Sequence, residues 1–351
     1  MDASPDTKEV LINKGSEGSK ELNLAISELM TPRVNVLCGF IKLNKSIETH
    51  NYYAMLLHSL MLGMILSGTE LLQQNLLTDE NYYAFDTATA AQVNSYITLE
   101  DLLTKFMVTP IYGALIDKLG RRKMALSGYI IVSISYVLFP LYHYSPSLFS
   151  SIAWYFLVRF LFANGAAIVP ILPMIADYIE DSHKGRAIGI NILFLSSGFL
   201  LSTMIIGFLG DNDIYDSYLV LTIIILVGGI TAASFLKPGN TYYQTGHISP
   251  HGSPNKAPQA KQSVKSMIVN ASKAKPWIIA GYLFAFLNGG GLAICGQIIN
   301  LYVQDFNPPN PKQLGNSIVK LSNLATVLTS LCLGPGLDFI NPLWVDRKSV
   351  V

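Results

Sequence analysis

Residues 113–126 read Gly113-Ala-Leu-Ile-Asp117-Lys-Leu-Gly120-Arg121-Arg122-Lys123-Met-Ala-Leu126, and they lie between two long apolar stretches. The chain leaves one hydrophobic segment, presents a carboxylate, gathers four cations at 118, 121, 122 and 123, and enters another hydrophobic segment. Crowded cations in a short loop hold that loop on the cytoplasmic side of a bilayer. The stretch therefore predicts two membrane helices joined by a cytoplasmic turn.

The rest of the chain agrees. Half of its residues are hydrophobic and 13% are charged, against roughly 25% charged in soluble domains. Mean hydropathy is +0.38. A hydrocarbon core about 30 Å thick needs roughly 20 apolar residues per helix. Eight stretches meet this need: 52–72, 94–116, 124–143, 151–176, 187–209, 217–236, 277–303 and 314–337. The third, fifth, sixth and seventh contain no Asp, Glu, Lys or Arg, whereas the second holds Glu100, Asp101 and Lys105 and the eighth holds Lys320. The fold class expected is an all-α membrane protein.

Orientation follows from Lys and Arg counted by loop. Loops after the second, fourth and sixth spans hold twelve, and those after the first, third, fifth and seventh hold one, Lys312. This asymmetry places both termini in the cytoplasm. Residues 1–51 form a polar N-terminal tail that does not resemble a secretory signal, so the first span serves as the insertion signal. Within that tail Val34–Leu43 is apolar but too short to span, and is expected to be interfacial or disordered. Residues 237–276 are rich in His, Ser, Pro, Gly, Asn, Gln and Lys and read as a flexible cytoplasmic linker. Ser249-Pro250 and Ser253-Pro254 fit ordinary linker composition better than phosphorylation sites.

Several function classes are disfavoured. A net charge of +1, with basic residues in loops rather than on one face, gives no nucleic-acid footprint. The three cysteines, Cys38, Cys295 and Cys332, are far apart and suggest neither a disulfide framework nor a metal site. No phosphate-binding Gly-x-x-x-x-Gly-Lys-Ser/Thr run, nucleophile elbow or paired-His motif occurs. No enzyme and no cofactor is expected.

The 113–126 stretch resembles the loop 2–3 signature of the major facilitator superfamily, secondary transporters built as two six-helix halves. Leu157-Val-Arg159-Phe-Leu-Phe-Ala-Asn-Gly165-Ala-Ala167 resembles that family's Leu-x-x-Arg…Gly-Ala-Ala pattern. Asp177 followed by Lys184-Gly-Arg186-Ala-Ile-Gly189 is similar to its loop 4–5 repeat. The drug–proton antiporter motif of the fifth span is replaced by Ser196-Ser-Gly198-Phe-Leu-Leu-Ser202, and the sugar-porter run after the sixth is absent, so the subfamily stays open. Gly334-Pro-Gly-Leu-Asp338 echoes Gly113-Ala-Leu-Ile-Asp117, but the basic triplet does not follow it.

The resemblance implies a six-span bundle over 52–236, the linker 237–276 and a partial second bundle over 277–351. It also implies transport of a small solute across a lipid bilayer by alternating access, with protons or another ion as the coupling partner. A non-transporting receptor or scaffold, or an inactive truncated fragment, is the alternative. Four of the family's spans would be missing, so the 351-residue chain is expected to insert but not to transport alone.

Candidate site residues fall in two groups. Gly113, Asp117, Gly120, Arg121, Arg122, Asp177 and Arg186 would form the cytoplasmic gate. Gly113 is expected to let the inner end of span two approach a neighbouring helix, and Asp117 to reach Arg121, Arg122 or the Arg186 loop. The resemblance implies that this cluster latches the gate. Arg159 stands about 12 Å into span four at 1.5 Å per residue. It either binds an anionic substrate group, tunes a proton-carrying acid, or bridges structurally to Glu70, Glu100 or Asp101. Asp101 and Lys105, four residues apart, are expected to neutralise each other, which leaves Glu100 as the protonation candidate. His58, Asn288 and Gln297 are polar groups at membrane depth that either line the pathway or bond neighbouring helices. Pro170, Pro173 and Gly289-Gly290-Gly291 mark sites where helices can bend.

Overall fold

Glu48 and Asn51 cap each other reciprocally, the Asn51 side chain accepting from the Glu48 N–H at 3.1 Å, and open helix α1 over Thr49–Thr78. Asp86 caps α2 (Thr87–Leu119) by accepting the Thr89 N–H at 3.3 Å, and its bonds to Thr89 hold its carboxyl below the ordinary range. Gly120 ends α2 and starts α3 (Arg121–Leu138), continued by a 3-10 turn over Phe139–His143. Then come α4 (Ile152–Ala167), α5 (Leu172–Tyr178), a 3-10 turn over Asp181–His183, α6 (Lys184–Phe208) and α7 (Ile214–Phe235). The computed structural model describes residues 35–37, 39–44, 47–143, 151–168, 172–209 and 214–237, with scattered helical positions from Ser317 to Leu328. The span expected at 277–303 and the linker 238–276 lie outside these residues.

The first, second, third, fifth and sixth expected spans correspond to α1, α2, α3, α6 and α7. Span four differs. It is not one helix over 151–176 but α4 ending at Ala167 and α5 resuming at Leu172. The sequence supplies a physical reason: a proline at 170 has no N–H to donate to a continuing helix. Four described helical stretches, Thr49–Thr78, Arg121–Leu141, Lys184–Phe208 and Ile214–Phe235, are long and apolar enough to cross a membrane. Helix α2 has the length at 33 residues but carries charge at its centre.

Helix α1 packs along α6 and α7, α3 lies between α4 and α7, and α2 packs on α4. Where α1 and α6 cross, a Cβ on Gly63 would stand 2.0 Å from the Leu195 carbonyl oxygen, and one on Gly198 would stand 2.1 Å from the Leu60 carbonyl oxygen. Around this contact Ser59 donates to Asn191 Oδ1 at 2.6 Å and Ser67 meets Thr203 Oγ1 at 3.3 Å. Small residues every fourth position on α1 (59, 63, 67) thus let two backbones touch. This is how helices associate where lipid removes the hydrophobic drive.

A second centre is aromatic. Tyr136, Phe139, Tyr155, Phe162 and Tyr218 stack with ring centroids 5.4–6.2 Å apart, joining α3, α4 and α7. The outer faces are apolar: Phe106, Met107, Leu157, Val227 and Phe208 are all well exposed, as a lipid-facing surface requires.

Ahead of α1, strands β1 (Asn35–Val36) and β2 (Ile41–Lys42) pair antiparallel as a hairpin. Of the apolar run expected to be interfacial or disordered, the described residues are ordered, with Val36, Ile41 and Leu43 buried against the bundle.

Candidate functional site

Two charged sites occupy opposite depths of the bundle. At one end of the bundle, the end that the loop charges predict to be cytoplasmic, α2 turns into α3 through a single residue. Gly120 has φ +85° and ψ 154°, a region open essentially to glycine alone, so its place in the sequence follows from the turn. The turn delivers Arg121, buried at 8% exposure, into an ion pair with Asp177 at the last turn of α5. Arg122 instead faces outward into a hollow of about 340 Å³ that it shares with Glu48, His50 and Lys237. Arg186 lies over the Phe40 ring at 5.0 Å and donates to the Phe40 carbonyl oxygen at 3.5 Å. The Asp117 backbone lies in the last turns of α2, and its side chain is outside the described residues.

One expectation at this end is corrected. Gly113 is exposed, and a Cβ there would meet nothing within 4 Å among the described residues, so it mediates no close approach there. That task falls to Gly63 and Gly198, and to Gly165, where a Cβ would come 3.0 Å from the Val132 nitrogen.

Inside the bundle, Arg159 on α4 is 4% exposed and its guanidinium contacts the Asp101 carboxylate on α2. Lys105 Nζ is farther from that carboxylate, at 4.0 Å. Asp101 is therefore neutralised mainly across helices, not by Lys105 within α2. The reason is geometric: α2 packs on α4, and Arg159 arrives in contact while Lys105 remains partly exposed. The Arg159 guanidinium carbon also lies 5.0 Å from the centre of the Phe162 ring, which adds cation–π attraction. Glu70 is exposed between helices and lies within electrostatic range of Arg159, Lys105 and Asp101. Glu100 feels Asp101 and Arg159 in the same way. Three acids thus face two cations.

Several polar atoms here lack hydrogen-bond partners among the described residues: Arg159 Nε and Nη1, Asp101 Oδ1, Glu100 Oε2 and the Tyr155 and Tyr218 hydroxyls. Buried donors and acceptors left open cost free energy unless water, an ion or a ligand meets them. Such an arrangement can hold a polar guest or exchange a proton.

His58 is fully buried, with Nδ1 2.7 Å from the Tyr129 hydroxyl in a contact between α1 and α3, while its Nε2 has no hydrogen-bond partner among the described residues. A Cβ on Gly229 of α7 would stand 2.4 Å from the Tyr129 ring, so the pair is closed off from that side. Asn288 and Gln297 lie outside the described residues. Lys320 Nζ would stand 2.6 Å from a Cβ on Gly207, which places it against α6. No cluster of side chains suited to a metal occurs among the described residues.

Sequence reasoning missed Tyr155 and Tyr218, for which no motif or spacing gives a signal, and Phe40 and Asn44, which lie in or beside a run expected to be interfacial or disordered. The α1 serine–glycine–serine stripe was visible at four-residue spacing.

Apolar helices around a charged centre define an integral membrane protein with a polar site inside its bundle. The chain belongs to the Major Facilitator Superfamily, whose sequence profile matches residues 52–345. It is also 22% identical over 244 residues to "Multidrug resistance protein 2" of Bacillus subtilis (strain 168), covering 68% of this chain and 56% of that protein. The chain spans about half the length of that relative. Members of that superfamily are membrane transporters.

Proposed function

We propose that the protein moves a small solute by proton-coupled alternating access, with Glu70, Glu100, Asp101, Lys105 and Arg159 as the coupling site. The observation that carries this reading is the buried Asp101–Arg159 pair beside two further carboxyls. With all groups ionised the cluster bears one excess negative charge, which one proton or one cationic guest neutralises. Uncompensated charge at membrane depth is costly, so the two guests exclude each other, and that exclusion is the basis of exchange. Arg159 is already committed to Asp101, which favours a tuning role over capture of an anionic substrate. The cluster's excess negative charge favours a cationic substrate, and the relative is named a multidrug resistance protein. In vesicles containing the protein, an imposed pH gradient should drive flux of a lipophilic cationic dye, and Glu100→Gln should abolish the dependence on the gradient. Equal dye flux with and without the gradient overturns the coupling.

The Arg121–Asp177 pair ties the α2–α3 turn to the end of α5 and acts as the cytoplasmic latch. This orientation rests on the loop charges, which put residues 118–123 and 184–186 inside. Tags at residue 250 and at the N-terminus should be cytoplasmic, and one at residue 80 should be external. An external tag at 250 overturns the topology.

A further inference from the structure

Helix α5 has seven described residues, Leu172–Tyr178. A helix this short is marginal alone, so its orientation is set by what it docks against. Part of that support comes from the N-terminal segment. Leu43 pairs with Ile179 antiparallel, the Asn44 N–H donates to the Tyr178 carbonyl at 2.9 Å, and the Glu180 N–H donates to the Lys42 carbonyl at 3.1 Å. Residues 42–44 thereby extend the hairpin onto the strand-like exit from α5. Ile41, Leu43 and Ile47 are buried in the same apolar cluster as Met174, Ile175, Tyr178 and Ile179. Asn44 Nδ2 also donates to the backbone carbonyl of Asp177 at 2.6 Å, while the Asp177 carboxylate receives Arg121. The Tyr178 hydroxyl accepts the Lys237 N–H at 3.1 Å and ties the same point to the end of α7.

We infer that residues 35–44 are a built-in part of the cytoplasmic gate, with Asn44 the positioning residue that holds Asp177 against Arg121. This rests on the reading of the Arg121–Asp177 pair as the latch. Asn44 fixes the Asp177 backbone, the adjacent β-bridge fixes the direction of the chain, and Phe40 occupies Arg186. Release of the hairpin frees α5 to turn and separates the carboxylate from its arginine.

The test uses Ile116→Cys, which is 6% exposed near the cytoplasmic end of α2, with Cys38, Cys295 and Cys332 replaced by serine. The readout is its labelling rate with a hydrophilic maleimide. Asn44→Ala should raise that rate roughly two- to tenfold, the consequence of losing one hydrogen bond. Asp177→Asn should raise it comparably. Asn44→Ala added to Asp177→Asn should give no further rise, because both act through one contact. Asn44→Gln, which keeps an amide donor, should recover slow labelling. A melting temperature within about 2 °C of the parent confirms that each variant is folded. If Asp177→Asn speeds labelling and Asn44→Ala does not, the positioning role is overturned while the latch stands. If the two effects multiply, Asn44 acts elsewhere and the inference is overturned. If Asp177→Asn itself changes nothing, the latch reading fails and the inference falls with it.

Discussion

Gly63→Ala and Gly198→Ala should each lower the melting temperature and the yield of monodisperse protein sharply, and the corresponding leucine variants should not fold. The added Cβ atoms would fall 2.0 and 2.1 Å from backbone carbonyl oxygens of the facing helix. A flexible side chain can move aside, but a helix backbone cannot yield without parting α1 from α6. Overpacking usually costs about 1–3 kcal/mol, and here the upper end or more is expected. Separation would also break the Ser59–Asn191 bond, leaving both groups to seek partners in hydrocarbon. Gly113→Ala is the matched control. A Cβ there would meet nothing within 4 Å among the described residues, so the substitution should be neutral or stabilise by a few tenths to about 1 kcal/mol. Wild-type thermal unfolding of Gly63→Ala would refute the close crossing.

The second large effect is expected at the ion pair. Asp101→Asn leaves the Arg159 guanidinium buried without its carboxylate, and removing one partner of a buried pair costs about 3–5 kcal/mol. Arg159→Gln should cost a similar amount, because it leaves three carboxyls facing Lys105 alone. The double variant Asp101→Asn/Arg159→Gln should recover much of the stability, since two amides can bond each other, yet remain uncoupled from the pH gradient. Lys105→Gln should change stability by less than about 1 kcal/mol, as expected for a partly exposed partner 4.0 Å away. Thermal unfolding in detergent and gradient-driven dye flux measure the two properties separately. If Asp101→Asn is as stable as the parent while Lys105→Gln is not, the charge pairing is misassigned.

These expectations rest unevenly on sequence and on fold. Helix positions were legible because hydropathy is a local property summed over about 20 residues, and five of the first six spans match single helices. The split of span four was half legible: Pro170 announced a bend, but the length of the gap was not readable. Gly120 was legible as a motif position, yet only its positive φ explains why no side chain fits there.

Charge pairing was not legible to the same degree. From sequence, Lys105 is the neighbour of Asp101, since i,i+4 spacing is all a single helix displays. Which acid meets Arg159 depends on how α2 and α4 are rotated about their axes, and only packing sets that rotation. His58 illustrates the same limit: its position shows a polar group at membrane depth, but only the fold turns it toward Tyr129 rather than a cavity.

The sequence by itself determined the membrane class, the expected sidedness of the loops and the identity of the charged residues, because each is written in local composition. Tertiary structure alone decided that Arg121 meets Asp177, that Arg159 meets Asp101, and that the N-terminal hairpin is docked rather than loose. Those contacts join residues tens to more than a hundred positions apart, and helix–helix geometry, not chain proximity, brings them together.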